Sequence, residues 1–132
     1  MIACSSFPSA RKKVDTVAVT AEIAEAVKKN GWKDGVLTAF VPHCTAALFV
    51  NEFDQSLKED YAEFFGKLAT GKWRHDSVDD NAAAHLMSRL VGASRQFFVE
   101  KGEIRLGSWQ SIILLELDGP RERSIWLQFC RR

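Results

Sequence analysis

The chain has 132 residues, 46% hydrophobic and 27% charged, and its 18 basic and 17 acidic side chains leave a formal charge of +1. That make-up fits one soluble domain with a true apolar core and excludes both a disordered chain and a broadly basic nucleic-acid binder. No apolar run reaches the ~20 residues needed to span a bilayer. The leading MIACSSFPSARKK has too short an apolar stretch before its basic cluster for a secretory signal. Cys4, Cys44 and Cys130 are odd in number and lack CxxC spacing, which points away from a disulfide framework or structural zinc knot and towards a reducing cytoplasm.

In chain order, residues 2–7 read as a short edge strand and residues 14–19 as a second. Thr20 is placed to cap a helix whose apolar stripe is Ile23, Ala24 and Val27, with Lys28 and Lys29 in its last turn and Gly31 closing it. Two strands follow, over 36–41 and 45–50, with Pro42-His43-Cys44 at the bend. Their nearly continuous apolar content predicts coverage on both faces. Cys44, next to His43, reads as a small buried residue rather than a nucleophile or soft ligand. Asp54 can cap a helix running to about Leu68, with Leu57, Tyr61, Phe64, Phe65 and Leu68 as a broad core-facing stripe.

The polar stretch His75–His85, HDSVDDNAAAH, holds two of the three histidines. Asn81 is a candidate N-cap for a helix reaching Gly92, which sets Asn81, His85 and Ser88 along one face. Strands at 96–99 and 103–106 flank Lys101-Gly102 in a compact hairpin. Residues 112–117 form a further strand, Asp118-Gly119-Pro120 a tight turn, and 124–129 a strand expected to return antiparallel to 112–117. Strands and helices do not alternate regularly, so the fold class is α+β: mixed or antiparallel sheet layers with about three helices in a single domain over 1–132. Neither GxGxxG nor a Walker A sequence is present.

His43, His75 and His85 each stand at a polar boundary of an element, which suggests a site, although scattered histidines are commonly surface or satisfied core residues. Lys72 and Arg74 bring positive charge near the second histidine, or else lie in a solvated loop.

Three stretches, PHCTAALFVNE, RHDSVDDNAAAHL with LVGAS after it, and GEIRLGSWQSIILLELDGPRER, together resemble the YjbQ-like family over about Val14 to Phe129. Its members are usually described as secondary thiamine-phosphate synthases. The resemblance implies a compact α+β fold, a homotrimer, and an enzyme joining an aminopyrimidine diphosphate to a thiazole phosphate with release of pyrophosphate. It marks His43, Thr45, Asn51, Glu52, His75, Asn81, His85, Gly107, Trp109, Gln110, Glu116, Asp118, Gly119, Pro120 and Arg121 as motif positions. Cys44 and Ser108 stand where the family has threonine.

Under this reading His43, Glu52, His75 and His85 are the catalytic candidates. Thr45, Asn51, Asn81, Arg105, Trp109, Gln110 and Arg121 are candidates for binding a small phosphorylated substrate. Three imidazoles suit a divalent ion such as zinc with an open fourth position, whereas magnesium, the usual companion of diphosphates, prefers oxygen ligands. Asp76 is an alternative to Glu52 as orienter or proton acceptor. Arg105, Arg121 and Arg123 can hold phosphate oxygens. The alternatives are a metal-dependent hydrolase of a small phosphorylated or acyl substrate, with Glu52 as base, and a non-catalytic trimeric binding protein. Glu52 is equally readable as a strand-end carboxylate paired with an arginine.

Overall fold

The computed structural model describes residues 13–132 apart from 69; the strand expected at 2–7 lies outside them. Its elements are β1 (Asp15–Ala18), α1 (Thr20–Lys29), β2 (Gly35–Phe40), β3 (Ala46–Asn51), α2 (Gln55–Leu68), α3 (Asp76–Asp79), α4 (Ala82–Val91), β4 (Ser94–Glu100), β5 (Glu103–Ile104), β6 (Ser111–Glu116) and β7 (Trp126–Arg131). Two antiparallel sheets result, one in the order β1-β6-β3 and the other β5-β4-β2-β7. The α+β class holds, with four helices among the described residues and no parallel pairing between these strands.

The sheets face each other across the main core. Val17, Ile23, Val27, Leu37, Leu48 and Ile112 are among its buried members, so α1 helps to fill it. The far face of the three-stranded sheet carries a second cluster, in which Ala47, Leu115 and Leu117 meet Ala84 and Met87 of α4, with Phe49 and Phe65 packed alongside. Strand β6 is therefore buried on both sides, which is why IILLEL is an unbroken apolar run up to its glutamate.

Strand β2 differs from expectation: the residues it turns outward, Val36, Thr38 and Phe40, are half-buried or exposed, because no other layer covers that side of the four-stranded sheet. The last strand also pairs elsewhere than expected. β7 lies against β2, with Val36 opposite Cys130 and Phe40 opposite Trp126, and not against β6. Strand alternation sets the face of each side chain but carries no information about its neighbour.

The helix caps show how local chemistry competes. Asp54 caps α2 as expected, its Oδ1 accepting the Leu57 N–H at 2.8 Å. Thr20 instead turns its hydroxyl to accept the Ile112 N–H at 2.8 Å, tying α1 to β6. Asn81 occupies the N-cap of α4 without capping it; the Ala82 N–H donates to Asp76 Oδ1 at 2.9 Å. Helix α2 buries no residue fully, and Phe64 and Leu68 of its expected core stripe are about half exposed. The hairpin at Lys101-Gly102 has φ of 52° and 81° at its two loop residues, the left-handed pair that a two-residue turn requires. Among the described residues no helix is long and apolar enough to cross a membrane.

Candidate functional site

Beside His43 lies a buried ion pair. Glu116 ends β6 opposite Ala46 and Asp15, fully buried. Arg123 reaches it from the chain after the Asp118-Gly119-Pro120 turn, its Nε donating to Oε1 at 2.7 Å and its Nη2 to Oε2 at 2.5 Å. The same Nη2 donates to the Thr45 hydroxyl at 2.8 Å. Glu116 also accepts the backbone N–H groups of Leu117 and Asp118. This is a satisfied network of the kind that fixes geometry. It uses up two residues assigned to substrate: the Thr45 side chain is buried and bonded, and Arg123 is 7% exposed and neutralised.

His43 sits beside this pair. Its Nε2 accepts the Ser124 N–H at 2.9 Å. A backbone amide only donates, so that nitrogen carries the lone pair, and the neutral imidazole holds its proton on Nδ1. Burial and then the Arg123 guanidinium hold the His43 pKa below its ordinary value, against a smaller opposing pull from Glu116. The chain thus builds His43 as a neutral ring with one N–H to offer.

His75 and His85 meet each other edge to face, with ring centroids 4.8 Å apart. Their spacing comes from Asp76, whose carboxylate accepts the Trp73 N–H at 2.7 Å and the Ala82 N–H at 2.9 Å, binding the loop to the start of α4. Those two bonds, Trp73 first, lower the Asp76 pKa. With both oxygens so engaged, Asp76 is a structural staple and not a free proton acceptor. Asn81 donates to Asp118 Oδ2 at 2.9 Å, and Arg121 donates to the same oxygen at 3.1 Å. The Asn81 Oδ1 is buried without a partner, beside a cavity of about 310 Å³ whose lining includes Lys13, Asp76 and Asp80.

The remaining candidates lie elsewhere. Asn51 pairs with Ser111 at the other end of the three-stranded sheet from Ala46 and Glu116. Five residue steps along β3 separate those ends, roughly 17 Å. Glu52 follows Asn51, and Trp109 and Gln110 precede Ser111, so these four belong to the far end. There the Tyr61 hydroxyl donates to the Glu52 carbonyl at 2.6 Å, and Gln110 closes its own loop by accepting the Gly107 N–H. Trp109 is 76% exposed and takes no part in the core. Arg105 stands on the β4–β5 hairpin of the other sheet, 3.4 Å from Glu100. Cys44, expected to be buried, is exposed.

The metal set fits this arrangement poorly. Among the described residues no three His, Cys, Asp or Glu side chains converge to hold an ion. The His75–His85 pair supplies two imidazoles, and the His43 lone pair on Nε2 is committed to Ser124. A three-histidine zinc or magnesium centre is therefore not assembled by the described part of one chain.

Comparison with known proteins gives consistent matches. The family described as "UPF0047 protein YjbQ-like" matches residues 6–132. A UPF0047 protein of Archaeoglobus fulgidus is 41% identical over 116 residues, covering 86% of this chain and 90% of its own. The UPF0047 protein YugU of Bacillus subtilis is 33% identical, with 89% and 90% covered. Among solved structures, a hypothetical protein from Aeropyrum pernix K1 superposes with a TM-score of 0.93 at 38% identity over all of both chains. A YbjQ-like protein of unknown function from Sulfolobus solfataricus P2 gives 0.91 at 36% identity, covering 99% and 97%.

Proposed function

The chain belongs to the YjbQ-like UPF0047 family, and from that premise we propose that it is an enzyme for a small phosphorylated substrate, working where His43, Asn81, Arg121 and the His75–His85 pair lie. The reaction we assign is a coupling of the thiamine-phosphate-synthase type. The thiazole nitrogen bonds to the exocyclic methylene carbon of the aminopyrimidine, the carbon–oxygen bond to the diphosphate breaks, and pyrophosphate leaves with the electron pair. Such a step needs fixed donors aimed at the departing oxygens.

The observation that carries this reading is the Ser124 N–H to His43 Nε2 hydrogen bond at 2.9 Å. It leaves Nδ1–H as a donor from a ring already oriented by backbone, and a neutral donor can stabilise developing negative charge without first losing a proton. Arg121, 58% exposed and tethered to Asp118, adds a guanidinium at the same end of the sheet. The hydrolase alternative asks Glu52 to act as base among the histidines, and Glu52 lies at the far end of β3 within one chain. We read the assembly as a homotrimer and the compartment as the cytoplasm.

The test is complementation of a thiamine-requiring strain, paired with pyrophosphate release from the two purified substrates. Wild type should rescue growth, and His43→Ala should not while remaining folded. Equal rescue by the variant would remove His43 from the mechanism. No pyrophosphate release by wild type would reject the synthase assignment itself.

A further inference from the structure

We infer that the cavity beside the start of α4, about 310 Å³ in volume, seats a small aromatic ring carrying an exocyclic amine. The inference rests on the catalytic reading above and gives one end of that substrate, its aminopyrimidine, a place on this chain.

The cavity has the make-up of a small-molecule site. Its deeper lining is apolar, with Ala84 and Leu117 buried and Val14 half-buried, while Lys13 and Asp80 are exposed at its rim. Pockets for small ligands start near about 300 Å³ and combine apolar walls with a few placed polar groups. Gly66 helps to keep the space open. It lies within α2, outside the glycines with positive φ, and a Cβ there would meet nothing within 4 Å. Neither the backbone nor a neighbour calls for glycine, which weakens a helix. What it leaves is room at the wall of the cavity.

The polar groups select the ligand. Asn81 lines the cavity, and its Nδ2 donates to Asp118 Oδ2 at 2.9 Å. A carboxylate only accepts, so the carboxamide cannot flip, and Oδ1 is left as a buried acceptor with no partner. A buried acceptor without a donor is costly, and an amine N–H brought by a ligand removes that cost. Asp76 and Asp80 set two carboxylates on the lining against the single ammonium of Lys13. That balance favours an amine and disfavours a phosphate. Lys13 can donate to a ring nitrogen beside the amine.

Asn81 also joins the cavity to the other end of the substrate. Arg121 donates to the same Asp118 oxygen at 3.1 Å, and its side chain is more than half exposed. A molecule with an amine-bearing ring at one end and a diphosphate at the other therefore offers its ring to the acceptors of the cavity and its phosphates to the Arg121 guanidinium.

A proton–nitrogen NMR titration of the full chain tests the proposal with two probes of one size. Aminodimethylpyrimidine is the substrate's ring without its diphosphate, and trimethylpyrimidine carries a methyl in place of the amine. The first should shift the Asn81 side-chain amide and the backbone amides of Ala83 and Ala84. The second should bind roughly tenfold more weakly, since it has no donor for Oδ1. Gly66→Leu and Ala83→Leu crowd the cavity from α2 and from α4. Each should weaken binding of the aminated ring roughly tenfold or more, with the thermal unfolding midpoint near that of wild type. Equal binding of the two probes overturns the proposal, as do shifts confined to residues away from the cavity, no binding to the full chain, or binding that both variants leave untouched. No turnover enters these measurements, so their failure leaves the His43 reading standing. Ring binding without pyrophosphate release would instead reject the synthase assignment and leave the cavity its ligand.

Discussion

Replacing Arg123 by methionine probes the network that holds the candidate site. The guanidinium makes two hydrogen bonds to Glu116 and one to the Thr45 hydroxyl. Without it, Glu116 keeps only the N–H groups of Leu117 and Asp118, while fully buried and directly opposite the buried Asp15. Removing one partner of a buried pair costs about 3–5 kcal/mol, since the surviving charge stays in low dielectric. With a urea m-value of roughly 2 kcal/mol/M, the unfolding midpoint should fall by roughly 1.5–2.5 M. The double variant Glu116→Leu/Arg123→Met removes both members of the pair and should be more stable than Arg123→Met alone. A single variant within about 1 kcal/mol of wild type, or a double variant worse than the single, would refute the account of Glu116 as a carboxylate dependent on its guanidinium.

Other outcomes follow from the same geometry. His43 should titrate below the ordinary 6.5 in an NMR pH series, and higher in Arg123→Met than in wild type, because the guanidinium is one of the causes that lower it. With its folded pKa depressed, His43 contributes stability that is complete above about pH 6.5 and is lost as pH falls through the folded pKa; breaking the Ser124 bond then costs about 1 kcal/mol, read by unfolding at stepped pH. Gly35→Ala should be severely destabilising in thermal unfolding, since a Cβ there would lie 2.1 Å from the Cys130 carbonyl oxygen and force β2 and β7 apart. Ser88→Ala deletes the 2.7 Å bond to the Ala46 carbonyl that seats α4 on β3, and should cost about 1–3 kcal/mol because that carbonyl is left wanting a donor.

Most of the elements were legible because their punctuation is local. Asp54, Gly31 and Lys101-Gly102 each mark a boundary by a chemistry that needs no distant partner. The pairing of strands was not legible in the same way. Nothing in WLQFCR distinguishes β2 from β6 as its neighbour, and the uncovered face of β2 looks like core when Val36 and Phe40 are read as apolar residues alone. At the candidate site, the polar motifs drew the histidines and Asn81 to notice, yet they fused two ends of one sheet into a single pocket. The acids and bases that shape the region act across sequence: Arg123 reaches back to Thr45, Ser124 to His43, and Asp118 to Asn81. Only the run ending in Glu116 offered a hint, since a glutamate closing a fully apolar strand calls for a buried cation.

The length of β3 has a consequence for how any activity is shared. A diphosphate substrate is too short to touch His43 and Trp109 of one copy when roughly 17 Å of strand lies between their ends of the sheet. If both residues serve one turnover, they come from different copies. Chains inactivated by His43→Ala and chains inactivated by Trp109→Ala, mixed under exchange, should then rebuild a fraction of working centres that neither preparation has alone. If each end works by itself, blending the two cripples will restore nothing.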